Sequence, residues 1–166
     1  MAKVLVAGIG NLFLSDDGFG PEVVRRLAGH ARVPADVRVV DYGIRGLHLA
    51  YDLLDGYDAL VIVDAVPTGA TPGAVTVLEV GRDAMDDMDR GEAELDAHGM
   101  SPVAVLAGVG RLGGTLPPTY LVGCRPRTVA DGIGLSPAVE AAVPEALDAL
   151  TALLARLGSP VDAGRP

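Results

Sequence analysis

The chain has 166 residues, enough for one domain with a sizeable hydrophobic core. Hydrophobic residues make up 49% and charged residues 21%, a composition typical of folded globular proteins that argues against disorder. The net charge of -9, with no cluster of Lys or Arg, excludes a nucleic-acid-binding surface, and no apolar run is long enough to span a membrane.

The beginning of the chain predicts a strand, a loop and a helix. Residues 4–7 are a continuous apolar run ending at a glycine, which is typical of a buried parallel strand. A loop over residues 8–20 follows. Pro21 is then expected at the first position of a helix, because apolar residues recur after it at helical spacing.

The middle of the chain predicts two further strands that each end in an aspartate. The second strand covers residues 37–40 and ends in Asp41, and a short helix is expected over residues 47–54. The apolar run at residues 59–63 is the strongest strand signal in the chain, and it ends in Asp64.

The second half of the chain predicts two strands and two helices around a polar, acidic stretch. The strands are residues 75–80 and 119–123, the acidic stretch is 81–97, and the helices begin at Ser101-Pro102 and Ser136-Pro137. The last helix has an apolar face with a period close to 3.6 residues: Val139, Val143, Leu147, Leu150 and Leu154.

This alternation of strands and helices predicts an α/β fold, a three-layer α/β/α sandwich around a mostly parallel sheet. One domain is expected over residues 1–157, with a flexible tail at 158–166. The most economical layout places the second and third strands on either side of the first. The winding then reverses at the first strand, and ligands of such sheets bind there, outside the carboxyl ends of the strands.

Two carboxylates are expected to flank this crevice. Asp17 lies in the loop after the first strand, and Asp64 ends the third strand. Two anionic groups held close together repel each other unless a cation or a shared proton lies between them. Asp16 adds a third carboxylate, for which a helix-cap or loop role is expected.

His98 supplies a nitrogen ligand that could complete a metal site. It lies just before the helix expected at Ser101, where the helix dipole favours a neutral imidazole that can bind a metal. One nitrogen and two or more oxygens suit nickel, zinc or another divalent transition ion. The spacing alone leaves structural roles open: Asp17 as a cap, and Asp64 and His98 as buried structural residues.

Residues 8–20, Gly-Ile-Gly-Asn-Leu-Phe-Leu-Ser-Asp-Asp-Gly-Phe-Gly, resemble the opening signature of the [NiFe]-hydrogenase maturation endopeptidases. The resemblance extends in order along nearly the whole chain. Its further segments are Asp41-Tyr42-Gly43 with Gly46 and Leu47, residues 60–66, His98 with Ser101-Pro102, residues 121–123, and residues 134–137 with Val139 and Glu140.

The resemblance implies an enzyme that cleaves a C-terminal extension from a [NiFe]-hydrogenase large-subunit precursor after nickel has entered it. Nickel is then carried by the substrate, and cadmium or zinc could occupy the site in vitro. The implied metal ligands are Asp17, Asp64 and His98, with Asp17 and Asp64 also as catalytic residues. The implied fold is phosphorylase/hydrolase-like, with a five-stranded mixed sheet whose antiparallel strand is residues 75–80.

Substrate recognition is expected from Asp41 and Gly43, at the end of the second strand. Tyr42 departs from the family pattern, which often has glycine there, and this leaves the choice of substrate open. The acidic residues 83–96 form either a mobile lid or a solvated loop. A cytoplasmic location is expected, since the N-terminus does not resemble a signal peptide. The chain is also expected to be a monomer.

Three alternatives compete with a maturation endopeptidase. A metal-sensing chaperone of hydrogenase assembly would use the same ligands without cleaving. A Rossmann dinucleotide-binding protein needs a third glycine at position 13, where this chain has Phe13. A cysteine protease would depend on Cys124, the only cysteine, which is more typical of a small buried thiol. His30 and His48 are expected on the surfaces of helices.

Overall fold

The computed structural model describes residues 2–29, 33–67, 69–80, 109 and 113–158. The strands are β1 (Val4–Ile9), β2 (Val37–Gly43), β3 (Ala59–Ala65), β4 (Val75–Val80) and β5 (Thr119–Cys124). The helices are α1 (Phe19–Ala28), α2 (Gly46–Leu53) and α3 (Pro137–Leu157), and a 3₁₀ turn covers Ser15–Gly18.

The five strands form one mixed sheet in the order β2-β1-β3-β5-β4. β1 pairs in parallel with both β2 and β3, and β3 pairs in parallel with β5. Of the strands in the described ranges, only β4 is antiparallel, and it pairs with β5 at the edge of the sheet. The predicted layout around β1 and the antiparallel orientation of residues 75–80 are therefore confirmed.

Helices cover both faces of the sheet, which confirms the three-layer sandwich. Strand side chains alternate between faces, so Val4 and Val6 pack with α1 and α3, while Leu5 and Ala7 pack with α2. Every residue of β1 is buried as a result. This explains why its sequence is continuously apolar instead of alternating.

The helix predicted to start at Pro21 begins two residues earlier, at Phe19. Proline is tolerated anywhere in the first helical turn, because the N–H groups there have no partner within the helix. The preceding 3₁₀ turn leads directly into α1, so the proline does not mark its first residue.

Two of the parallel strands extend past the apolar runs that predicted them. β2 continues through Asp41, which lies opposite Gly8 of β1, and β3 continues through Asp64, which lies opposite Gly123 of β5. Backbone pairing to a neighbour continues where hydrophobic patterning stops. Both aspartates are therefore strand residues at the carboxyl edge of the sheet.

Several predictions fall outside the described residues. They concern the acidic stretch 81–97, His98, the helix from Ser101-Pro102 and most of the expected tail. The division into a domain at 1–157 and a tail stays a prediction. In the part of the chain that the structure describes, no helix has both the length and the apolar character needed to cross a bilayer.

Candidate functional site

Glycines allow the loop after β1 to pack closely against the end of the sheet. Gly10 has a φ of 148°, and a Cβ there would collide with the backbone oxygen of Asp17. A Cβ on Gly20 would collide with the carbonyl oxygens of Val63 and Ile9. The signature glycines thus let the turn that carries Asp17 sit directly on the carboxyl ends of β1 and β3.

The carboxylate of Asp17 accepts a single hydrogen bond from the described part of the chain. Its Oδ2 accepts a hydrogen bond of 2.8 Å from the backbone N–H of Asn11, and the side chain is partly exposed. Among the described residues, no donor reaches its other oxygen, Oδ1. The carboxylate is oriented and still has an oxygen that can engage a ligand.

Asp64 lies at the same edge, near the end of β3, and is 6% exposed. The 3₁₀ turn that carries Asp17 contacts β3. The structure thus brings together the two elements that were predicted to flank one crevice. His98, the third expected ligand, lies outside the described residues.

Asp16 has a different environment from Asp17. It is fully buried, and its carboxylate accepts hydrogen bonds from Arg127 N (2.9 Å), Thr128 N (3.2 Å), Ser136 N (2.7 Å) and Ser136 Oγ (2.8 Å). Burial by itself raises the pKa of Asp16, but the hydrogen bonds from Ser136, Arg127 and Thr128 outweigh it and lower the pKa below its usual value. Of the two roles expected for Asp16, a helix cap or a loop contact, the structure therefore shows the loop contact.

A metal site at this edge cannot be built from three described side chains alone. Over residues 2–29, 33–67, 69–80, 109 and 113–158, no three His, Cys, Asp or Glu side chains are grouped closely enough to hold a metal ion. Asp16 is therefore not a third ligand beside Asp17 and Asp64. The expected site needs a ligand from another part of the chain or from the substrate.

Sequence reasoning missed the segment that supports the Asp17 loop, residues 125–136. Ser15 N donates to the carbonyl of Gly132 (2.9 Å), Gly132 N donates to the carbonyl of Phe13 (2.9 Å), and Ser15 Oγ donates to the carbonyl of Ala130 (2.8 Å). These partners are more than 100 residues apart along the chain. The only local signal was the Ser136-Pro137 helix start, which does not reveal the contact with Asp16.

Asp41 and Gly43 lie beside the same loop. Asp41 Oδ1 accepts a hydrogen bond of 2.9 Å from Gly43 N, and the carbonyl of Gly43 accepts one of 3.0 Å from Gly10 N. Gly43 has a φ of 55°, a left-handed conformation that favours glycine. The end of β2 is therefore tied to the Asp17 loop, and the expected role of these two residues in substrate recognition stays a prediction.

Tyr42, the departure from the family pattern, points into the core. Its side chain is buried with residues of α2, and its hydroxyl donates a hydrogen bond of 2.6 Å to Asp52 Oδ2. Burial and the neighbouring Asp52 raise the pKa of Tyr42. The phenol therefore contributes to packing between β2 and α2, not to the surface at the carboxyl edge of the sheet.

The remaining predictions about single residues can be compared with the structure directly. Cys124 is fully buried, and burial raises its pKa to about 11, which argues against a nucleophilic thiolate. His48 is exposed on α2 as expected, whereas His30 lies outside the described residues. Phe13, at the position of the third Rossmann glycine, is 68% exposed in the loop, and α1 begins only at Phe19.

Comparison with known proteins agrees with this architecture. A family model described as hydrogenase maturation protease matches residues 21–153. The hydrogenase expression/formation protein HupD of Rhodobacter capsulatus is 36% identical over 138 residues, which cover 82% of this chain and 64% of that protein. HupD of Bradyrhizobium diazoefficiens is 32% identical over 159 residues, which cover 94% of this chain and 80% of that protein.

Among solved structures, the hydrogenase maturating endopeptidase HybD from E. coli is similar over 94% of each chain, with a TM-score of 0.75 and 30% identity. The chain thus spans somewhat less than two thirds of the R. capsulatus relative but nearly all of this structural neighbour. The resemblance inferred from the sequence motifs is confirmed. The chain belongs to the hydrogenase maturation protease family.

Proposed function

We propose that the chain is an endopeptidase that removes the C-terminal extension of a nickel-loaded [NiFe]-hydrogenase large-subunit precursor. Nickel, carried by the precursor, is the recognition element. Membership of the maturation protease family supports this activity. The observation that carries the proposal is the contact between the Asp17 turn and β3, which ends beside Asp64 at the carboxyl edge of the sheet.

The chemistry of the donors at this edge suits a divalent cation. Asp17 offers one carboxylate oxygen while Asn11 holds the other, and Asp64 is a nearly buried carboxylate. Carboxylates gathered at one edge of a sheet favour a cation, because it relieves their repulsion. An imidazole nitrogen from His98 would complete a mixed oxygen and nitrogen set that suits nickel, and cadmium or zinc in vitro.

Peptide hydrolysis at this edge requires an activated water and a polarised carbonyl. Nickel in the precursor would supply Lewis acidity for both. Asp17 and Asp64 then have two possible contributions, which are holding the precursor's ion and accepting a proton from the attacking water. The carboxylate that accepts this proton must lie within hydrogen-bond distance of the water, about 2.6–3.2 Å.

The surface around this edge suits a protein substrate. Exposed apolar side chains follow the carboxyl ends of β1 and β2 and also occur in the 125–136 segment. We name this group the apolar rim, and it consists of Leu12, Phe13, Ile44, Leu47, Val129 and Ile133. Phe13 is 68% and Ile133 is 82% exposed, and such clustered exposure is typical of protein-binding surfaces.

The proposal assigns the apolar rim to the folded part of the precursor near its scissile bond. Asp41 and Gly43, at the end of β2 where the Gly43 carbonyl accepts a hydrogen bond from Gly10 N, would contact the extension peptide itself. The chain would act in this way as a monomer in the cytoplasm.

The central test replaces the carboxylates and the histidine of the site. Asp17→Asn, Asp64→Asn and His98→Ala are each expected to lower the cleavage rate of a nickel-loaded precursor by a factor of about 100 or more. Mass spectrometry of the precursor measures cleavage, and cadmium titration measures metal binding independently. Asp58→Asn is the matched control, since this exposed carboxylate lies just before the start of β3, at the opposite edge of the sheet. Within the described ranges it accepts a hydrogen bond only from Lys3 N.

Two outcomes would contradict the proposal in different ways. Equal cleavage of nickel-loaded and nickel-free precursors would show that nickel is not the recognition element. Tight binding of the nickel-loaded precursor without any cleavage would instead identify a metal-sensing chaperone of hydrogenase assembly.

A further inference from the structure

The buried carboxylate of Asp16 has no part in the hydrolysis described above. A fully buried charge is unfavourable unless hydrogen bonds compensate it. Asp16 has four such bonds, and all of their donors come from residues 127, 128 and 136. Its charge is therefore satisfied only when the turn after β1 and the 125–136 segment are held together.

Main-chain hydrogen bonds also join the turn after β1 to the 125–136 segment. Leu14 forms a parallel bridge with Gly132, and Asp16 N donates to the carbonyl of Thr128 (3.1 Å). Ser15 has a φ of 53°, a strained conformation for a residue other than glycine. Because such strain persists only when the surroundings enforce it, the bonds on both sides of Ser15 hold the turn in place.

The contact between the turn and the 125–136 segment sets the position of the next residue, Asp17. Asp17 shares a peptide plane with Asp16, and among the described residues the carboxylate of Asp17 is oriented only by the N–H of Asn11. We propose that Asp16 is a positioning residue: by binding the 125–136 segment, it fixes the turn so that Asp17 presents its carboxylate at the carboxyl edge of the sheet. The role in catalysis rests on the proposed function, whereas the positioning of Asp17 does not.

The amide N–H of Asn11 reports the position of Asp17 without metal or substrate. In Asp16→Asn, an NH₂ group replaces one acceptor oxygen and faces an N–H or O–H donor. We expect hydrogen exchange at Asn11 to speed up by about tenfold or more, while the core amides of α3 keep their wild-type rates. Cadmium affinity, measured by titration, is expected to fall by about 10- to 100-fold, as for other residues that orient a ligand.

Two further variants provide a milder change at the same contact and a control away from it. Ser136→Ala removes only the hydroxyl donor and leaves three backbone donors on Asp16, so a smaller increase of exchange at Asn11 is expected. Asp52→Asn is the matched control, because it replaces the charged acceptor of the Tyr42 hydroxyl with a neutral amide on the other face of the sheet. It is expected to lower thermal stability without changing exchange at Asn11 or cadmium affinity.

The outcomes separate this proposal from the proposed function. Unchanged exchange at Asn11 in folded Asp16→Asn, or an equal increase in Asp52→Asn, overturns the positioning role. If Asp16→Asn does not fold, unchanged exchange at Asn11 in Ser136→Ala overturns it. If exchange rises as expected while the wild-type chain neither binds cadmium nor cleaves a precursor, the positioning role stands and the proposed function fails.

Discussion

Gly20 shows how one residue lets the site form. It lies in the first turn of α1, where the backbone passes against the carbonyl oxygens of Val63 and Ile9. Any side chain at this position would push α1 and the turn before it away from β1 and β3. The glycine therefore matters for close packing and not for an unusual backbone angle.

Gly20→Ala is expected to destabilise the chain by about 1–3 kcal/mol, as is usual for overpacking against backbone atoms. The direction of this change in unfolding free energy is informative, because helix propensity alone favours alanine over glycine in a helix interior by about 1 kcal/mol. The midpoint of urea unfolding measures the change. Gly29→Ala, after the end of α1, is the control, since the nearest atom to its Cβ would lie 3.9 Å away and little change is expected.

A network of ion pairs links elements α1 and α3 on one face of the sheet. Arg26 pairs with Glu22 of its own helix (2.6 Å) and with Glu140 of α3 (2.7 Å), and Arg25 also pairs with Glu22 (2.6 Å). Burial by itself raises the pKa of Glu22, but the hydrogen bonds from Arg25 and Arg26 outweigh it and lower the pKa below its usual 4.5. Glu22 therefore favours the folded state only while it is ionised.

The stability difference between the wild type and Glu22→Gln is expected to depend on pH. A carboxyl whose pKa is lowered by folding stabilises the fold fully above its unfolded-state pKa, here 4.5, and loses this effect as pH falls through the folded-state pKa. Urea unfolding at neutral and acidic pH measures the difference. A Glu22→Gln difference that persists in acid contradicts the assignment.

At the scale of the whole molecule, the candidate site and the apolar rim lie at the same edge of the sheet. The segment after β1 carries Asp17 and the exposed apolar side chains Leu12 and Phe13. Ile44 and Leu47 follow the end of β2, and the 125–136 segment adds Val129 and Ile133. The chain is otherwise acidic, with a net charge of -9. Docking through this edge would place apolar contacts around the carboxylates without requiring a basic partner.

The double variant Phe13→Ser, Ile133→Ser is expected to raise the KM for the nickel-loaded precursor by about tenfold or more, because two exposed anchors are lost. Its cadmium affinity should match the wild type, since neither side chain is a ligand. Leu78→Ser, at an apolar site 44% exposed on β4, is the control. An unchanged KM for the double variant would exclude the apolar rim as the docking surface.

Much of the fold was predictable because it is encoded locally. Continuous apolar runs identified β1 and β3, and strand–helix alternation indicated a sheet with helices on both faces. Strand order then placed Asp17 and Asp64 at one edge, and the structure brings their elements into contact. The antiparallel orientation of β4 came from the family resemblance, since periodicity does not reveal strand direction.

The sequence by itself thus determined the described strands, most of the described helical structure and the family, because hydrophobic period and signature motifs depend on near neighbours in the chain. Its choice of Asp17 and Asp64 as site residues stays a prediction. Only the tertiary structure decided that Asp16 binds residues 127, 128 and 136, that Tyr42 turns into the core, and that Gly20 contacts β3. These contacts join residues that are close in space but distant in sequence. Hydrogen bonding and close packing select them after the sheet has formed.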